Sequence, residues 1–296
     1  MRSLTGFRSI LRNKIKGYHK LAVLGFLLPG LSGVSLFVFL PFFDVVRRSF
    51  MTVAADKSAG LSNYKMVLSN QAFRLASTNT FRFVFICIPL LVGISLWIAY
   101  GLSRCRYMEL LKSAYLLPLA IPTAAVVLVW KLLFHKQGMI NACIEVLGGT
   151  GPDFMGTSLS FWVLVVSYLW KNLGYTVVLW LAGIFAIPEG IVEAARVDGA
   201  GEKAVFFRII LPNLKPTLYT ITVLSFLNSF KVFREAYLVA GSYPQEDMYL
   251  LQHLFNNWFL NLDMDKMAAG AVLTGMVLFV FIFLLQIFWD RKEEWT

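Results

Sequence analysis

Long apolar runs separated by short polar stretches set the pattern of this chain. Leu21 to Phe43 is almost wholly apolar. That length matches the roughly 20 residues a helix needs to cross a bilayer. It exceeds the apolar core of a secretory signal peptide, about 7–15 residues. Comparable runs cover about 81–102, 113–134, 159–187, 217–240 and 267–289, so the pattern predicts an all-α membrane protein with six transmembrane helices. Pro89 and Gly93 interrupt the second run. Pro118 and Pro122 predict an early kink or break in the third, which a membrane helix tolerates when neighbours satisfy the freed carbonyls.

The polar stretches between the runs read as loops. Residues 44–78 carry Asp44, Arg47, Arg48, Asp56, Lys57, Lys65 and Arg74 and read as an external loop with a short helix near Leu61–Leu75. His135–Ser158 is Gly-rich and also reads as external. A third external loop runs from Gly241 to Lys266 and contains Trp258 and Phe259. The sequence divides into a basic cytoplasmic arm (1–20), a transmembrane domain (21–290) with a polar loop at 188–216, and a short tail (291–296). No internal repeat of 20–50 residues appears, which weighs against a secondary transporter built from repeats.

Composition agrees with the pattern. Hydrophobic residues make up 58% and charged residues 15%, and mean hydropathy is +0.67. A soluble domain is typically about half apolar and a quarter charged. The net charge of +10 does not point to nucleic acid, because the basic residues gather near the span ends. Fifteen Lys and Arg fall in the arm, the 103–112 connector, the 188–216 loop and the tail; nine fall on the proposed external side, over 44–82, 131–158 and 241–266. The positive-inside rule therefore places both termini and the 188–216 loop in the cytoplasm. Cys87, Cys105 and Cys143 stand apart, without metal-ligand or disulfide-framework spacing. Gly148-Gly-Thr-Gly151 lacks the Lys-Ser/Thr of a phosphate-binding loop and reads as a turn.

The remaining basic residues, Lys171, Lys231 and Arg234, fall inside proposed spans, as does Glu235. Charge at that depth is expensive and must face protein interior or water. Asn228, Lys231 and Glu235 recur at i, i+3 and i+7 and share a helix face, with Lys231 and Glu235 spaced to pair at i, i+4. Lys171 and Tyr175 share a face of the fourth span. Two readings stand: a polar solute pathway, or a structural ion pair within the bundle.

The 188–216 loop is the most informative stretch. Glu193-Ala194-Ala195 offers one fixed charge beside a small helical surface that a partner can approach closely. Asp198-Gly199-Ala200 follows, and Gly199 can end the helix by adopting φ > 0. Ile209, Leu211 and Pro212 then lead to the fifth span, with Pro212 and Pro216 breaking the second helical piece. Glu-Ala-Ala, three residues, Gly, nine residues, Ile-x-Leu-Pro resembles the EAA loop of ABC-importer permease subunits. The likeness extends over roughly residues 20–290. Trp170-Lys-Asn-Leu-Gly174, Leu181-Ala-Gly183, Ile187-Pro188, Phe226-Leu-Asn228 and Gly241-Ser-Tyr-Pro244 are similar to carbohydrate-type permeases of the maltose and glycerol-3-phosphate group. Lys203 departs from the aromatic usual there, Ser242-Tyr243 interrupts a usual Gly-Gly-Pro turn, and Lys231 with Arg234 are unusually basic.

The resemblance implies a type I ABC-importer permease fold, with the EAA coupling helix on the cytoplasmic side between spans 4 and 5. It implies a multi-pass bacterial cell-membrane protein and a pathway for a sugar or oligosaccharide. The implied partners are a second, different permease, two ATPase subunits and an extracytoplasmic solute-binding protein. ATP and Mg would be bound by the ATPase; this chain carries no Walker A sequence and is expected to hold no cofactor. Two other classes compete. A self-sufficient secondary transporter or channel would work without an ATPase. A membrane-embedded enzyme would need grouped ionisable residues, whereas His19, His135 and His253 are scattered.

Overall fold

The computed structural model describes residues 25–52, 57–106 and 108–293. The basic arm 1–20, residues 21–24 of the first expected span and residues 294–296 of the tail lie outside the described residues. The chain divides into a smaller unit, up to Val67 with Asp263–Met276, and a larger one, Leu68–Leu262 with Val277 onward.

In the smaller unit, helix α1 (Gly25–Ser49) has the length and apolarity of a membrane span, and its most apolar window is 0% buried. Phe26 is 92% and Phe37 77% exposed, as suits a helix facing lipid or another subunit. A short antiparallel hairpin follows, β1 (Met51–Thr52) against β2 (Lys57–Ser58), with Met51 opposite Ser58. Helix α2 (Ser62–Ser69) closes it. The Asn63 amide donates to the carbonyls of Ser49 and Met51 at 3.1 and 2.9 Å, and Tyr64 bonds the Ser49 hydroxyl at 2.6 Å. The polar segment read as an external loop is thus organised around buried hydrogen bonds.

The larger unit starts with α3 (Gln71–Leu102). This helix begins ten residues before the span expected at 81. Asn70 caps it by accepting from the Phe73 amide at 3.0 Å, and Phe73 and Ala76 bury one face of the added turns. Pro89 lies inside without ending it. Helices α4 (Met108–Ala120), α5 (Thr123–Phe134) and α6 (Met139–Val146) follow. The break expected in the third span falls at Ile121-Pro122, where the chain turns by 98°. Proline disfavours helical φ/ψ in its predecessor, and the helix stops here, whereas at Pro89 and Pro118 it continues.

Helix α7 (Leu159–Phe185) runs beside α3. Phe83, Cys87 and Leu91 of α3 pack on Phe161, Leu164, Val165 and Tyr168 of α7. Nearer the other end, Ala99 and Leu102 meet Val177, Trp180 and Leu181. Polar groups between them are satisfied locally: the Trp180 indole donates to the Ser95 hydroxyl at 3.0 Å, and the Tyr168 hydroxyl donates to the Ser225 carbonyl at 2.6 Å. Burying such groups unpaired would be costly.

Helices α8 (Glu189–Val197) and α9 (Glu202–Val205) precede a π turn at Phe206–Ile210 and a short turn at Leu211–Asn213. The fifth expected span, 217–240, is a broken element rather than one apolar helix. Helix α10 (Lys215–Ser229) passes into a 3-10 turn at Phe230–Val232 and then α11 (Phe233–Ala240). Helix α12 (Leu251–Leu260) and the long α13 (Met264–Glu293) complete the chain. Among the described residues, four helices are long and apolar enough to cross a membrane, and the bent pair Ser113–Ala120 with Thr123–Val146 makes a fifth.

The loop before α12 is tied to the start of α3. The Asn79 amide donates to the carbonyls of Glu246 and Tyr249 at 2.6 and 3.0 Å, and the Leu251 amide donates to the Thr80 hydroxyl at 3.0 Å. His253 accepts from the Leu250 amide at 3.2 Å. Burial pushes its pKa down to about 4, so it packs as a neutral ring.

Candidate functional site

Two places gather the residues that the sequence singles out. The first is α8 and the turn after it. Every residue of α8 stays at least partly exposed. Glu193 and Ala194 face outward and Val197 is 87% exposed, whereas Ala195 turns toward the bundle. Val192, Ala195 and Ala200 pack against a core of Ile187, Val205, Ile210 and Leu214. The helix therefore shows one face to the surroundings and rests the other on the ends of α3 and α7.

Its termination follows from glycine. Asp198 is the C-cap, and Gly199 sits at φ +83°. The Ala200 amide donates to the Ala195 carbonyl at 2.9 Å and the Gly199 amide to the Arg196 carbonyl at 3.0 Å. This paired pattern is the Schellman turn, which reverses the chain and satisfies two orphan carbonyls. The prolines act differently from expectation. Pro212 and Pro216 each occupy a first-turn position of a helical segment, where a missing N–H costs nothing. They do not break the chain out of helix; they reset it. Ile209 and Leu211 are partly buried, Pro212 is exposed, and the flanking Ile210 and Leu214 carry the burial.

Arg104 was not singled out in the sequence and proves central here. It lies over the Tyr100 ring at 4.2 Å, hydrogen-bonds the Tyr100 hydroxyl and pairs with Glu202. Arg196 reaches the same carboxylate at 3.3 Å. The hydrogen bond from Arg104, then the charges of Arg104 and Arg196, hold the Glu202 carboxyl below the usual range. These groups are exposed, so the pairs contribute little stability; they position the loop against the end of α3. Only the occurrence of Arg104 directly after an apolar run hinted at this, and the partner lies 98 residues away.

The second place is a cavity of about 350 Å³ between α7, α10 and α11, walled also by Leu119 of α4. Lys171, Tyr175, Asn228, Lys231 and Glu235 all line it, so the structure brings together all five polar residues read as a pathway. Their pairing differs from expectation. Lys231 does not pair with Glu235, because the 3-10 turn at Phe230–Val232 breaks the i, i+4 geometry. Glu235 instead pairs with Lys171 across the cavity, and Lys171 also approaches the Thr123 hydroxyl at 3.5 Å. Lys231 donates to Asn228 Oδ1 at 2.8 Å, and the Asn228 amide donates to the Tyr175 hydroxyl at 3.0 Å. Asn172, one turn from Tyr175, also lines the cavity and was missed. Arg234 is exposed and lies outside the lining.

Similarity searches agree on what kind of chain this is. Residues 106–293 match the family model for the binding-protein-dependent transport system inner membrane component. A trehalose/maltose transport system permease from Thermococcus litoralis is 30% identical over 281 residues, spanning 92% of this chain and 94% of that protein. An arabinooligosaccharides transport system permease from Bacillus subtilis is 28% identical, spanning 96% and 90%. The structure of a bacterial ABC transporter involved in alginate import contains a chain of the same fold. Its TM-score is 0.82 at 19% identity, over 95% of this chain and 98% of that one. On this evidence, the chain belongs to the family of inner membrane components of binding-protein-dependent transport systems.

Proposed function

We propose that this chain is one permease subunit of an ATP-driven importer for a saccharide, and that the exposed face of α8 is its ATPase-docking surface. The observation that carries the docking reading is α8 itself. It is a short amphipathic helix left exposed along its length, stopped by a glycine turn, and seated on the ends of α3 and α7. A helix in that position transmits a push into the bundle. Relatives named as permeases for trehalose/maltose and arabinooligosaccharides support the saccharide class. A neighbouring complex contains a solute-bound periplasmic protein, which supports an external binding protein as partner.

In this reading the membrane is crossed six times. Four apolar helices and the bent Ser113–Val146 pair supply five crossings, and α10 with α11 supplies the sixth. The sixth is broken at Phe230–Val232 and carries Lys231, Arg234 and Glu235, as a crossing that lines a polar path would. Both termini and α8 are cytoplasmic, in keeping with the excess of Lys and Arg in those segments. A second permease faces the α7–α11 cavity and completes the path. Two ATPase subunits bind the ATP and Mg; closing them rotates α8, tilts α7 and α10 through Gly183 and Leu214, and opens the cavity outward.

The test uses the complete importer in proteoliposomes. Glu193→Ala should lower ATP-driven solute uptake by roughly tenfold, the effect of losing about 1.4 kcal/mol of interface contact, while the complex still assembles. Gly199→Asp, which puts a side chain at φ +83°, should act in the same direction. Wild-type uptake in both variants would remove α8 from coupling. Uptake by this chain alone, driven by an ion gradient, would instead favour a secondary transporter.

A further inference from the structure

The charges lining the α7–α11 cavity do not balance. Lys171 is neutralised by Glu235, whose side chain is 5% exposed. Lys231 is exposed to the cavity, and its bonded partner there is the neutral Asn228 side chain. Among the described residues no carboxylate lies within ion-pair distance of Lys231. The Asn228 amide is oriented by its bond to Tyr175, so its Oδ1 is fixed toward the ammonium. Tyr175 accepts that bond and keeps its own hydroxyl proton to donate. Leu119, Leu224 and Val232 add apolar surface to the same lining. The result is a polar cluster carrying one positive charge that no carboxylate among the described residues offsets, a placement that is costly at membrane depth unless a water-filled path or a counter-charge faces it.

Resting on the permease reading above, we propose that the transported saccharide is anionic, bearing a carboxylate or a phosphate that Lys231 receives. The volume, about 350 Å³, lies in the range of about 300–1,000 Å³ that accommodates small ligands. A sugar ring presents hydroxyls to Asn172, Tyr175 and Asn228 and an apolar face to Leu119 and Leu224, and its anionic group meets the ammonium. A neutral sugar leaves that cation without a partner.

The experiment is initial-rate uptake into proteoliposomes holding the full importer, with its binding protein saturating. The probes are digalacturonate, glucose 6-phosphate and neutral maltose. ATP-dependent uptake of one anionic probe should exceed that of maltose about tenfold or more, and which of the two is taken up separates carboxylate from phosphate. Lys231→Gln should collapse that preference by raising KM for the anionic probe, and Lys231→Arg should keep it. Expression and assembly of both variants are read by size exclusion, so loss of fold is not mistaken for loss of selectivity. ATP-driven uptake that favours maltose, or an anion preference unchanged in Lys231→Gln, overturns this inference and leaves the importer reading intact. Uptake that ignores ATP overturns the importer reading itself.

Discussion

Gly174→Ala should abolish accumulation of a folded, assembled complex. A Cβ at Gly174 would lie 1.7 Å from the carbonyl oxygen of Tyr115 and 2.6 Å from its carbonyl carbon. Both obstacles are backbone, so no rotamer change relieves the clash; α4 must separate from α7 or the chain must bend. Close backbone approach at a small residue is how helices associate inside lipid, where burying apolar surface gives no driving force. Gly183 supplies a graded comparison. Its Cβ would meet the Thr217 hydroxyl at 2.4 Å and a Leu214 methyl at 3.0 Å, both side-chain atoms that can yield. In fluorescence-detected size exclusion of detergent extracts, Gly174→Ala should lose the complex peak, while Gly183→Ala should retain most of it. Equal peaks would show that α4 and α7 do not pack this closely.

The second large effect concerns the pair between Lys171 and Glu235. Glu235→Leu leaves the Lys171 ammonium, 28% exposed, without its counter-charge between α7 and α11. Removing one partner of a buried ion pair costs roughly 3–5 kcal/mol, whereas replacing both by apolar groups of similar volume is often neutral. Glu235→Leu should therefore lower the melting temperature of the purified complex strongly. Adding Lys171→Met to the same chain should recover most of the loss. Non-additivity of this kind identifies a direct interaction. If the double variant is no better than Glu235→Leu alone, the two side chains do not compensate each other in the folded protein.

The sequence revealed what is periodic or local. Runs of about twenty apolar residues mark membrane helices, a proline pair marks the 98° break at Ile121-Pro122, and Gly199 marks a helix end because its φ is a local requirement. The pattern failed where long-range partners decide. The first ten residues of α3 look polar, yet Asn79 and Thr80 are buried against the loop before α12, more than 160 residues away. Lys171, Lys231 and Glu235 were found because charge in an apolar run is conspicuous, and Tyr175 and Asn228 because they share a helix face with them. Their pairing was not, since helical spacing favours Lys231 with Glu235 and the 3-10 turn at Phe230–Val232 removes that option. The partners in the Arg104–Glu202–Arg196 bridge and the contact of Gly174 with Tyr115 could not be read from the sequence, because each joins segments whose proximity exists only after folding.

The central claim is that α8 projects into the cytoplasm and is covered there by an ATPase subunit. Ala194, exposed on that helix, is the position to label. A chain with Cys87→Ser and Cys105→Ser keeps the exposed Cys143, which lies in the second loop read as external from the sequence, as the expected outer-face reporter, and Ala194→Cys adds a reporter on α8. A membrane-impermeant maleimide should reach Cys143 in right-side-out vesicles. In inside-out vesicles it should react at position 194, and that reaction should be blocked when the ATPase subunits are present. Labelling of position 194 from the outer face, or labelling from the inner face that is indifferent to the ATPase, would contradict the account.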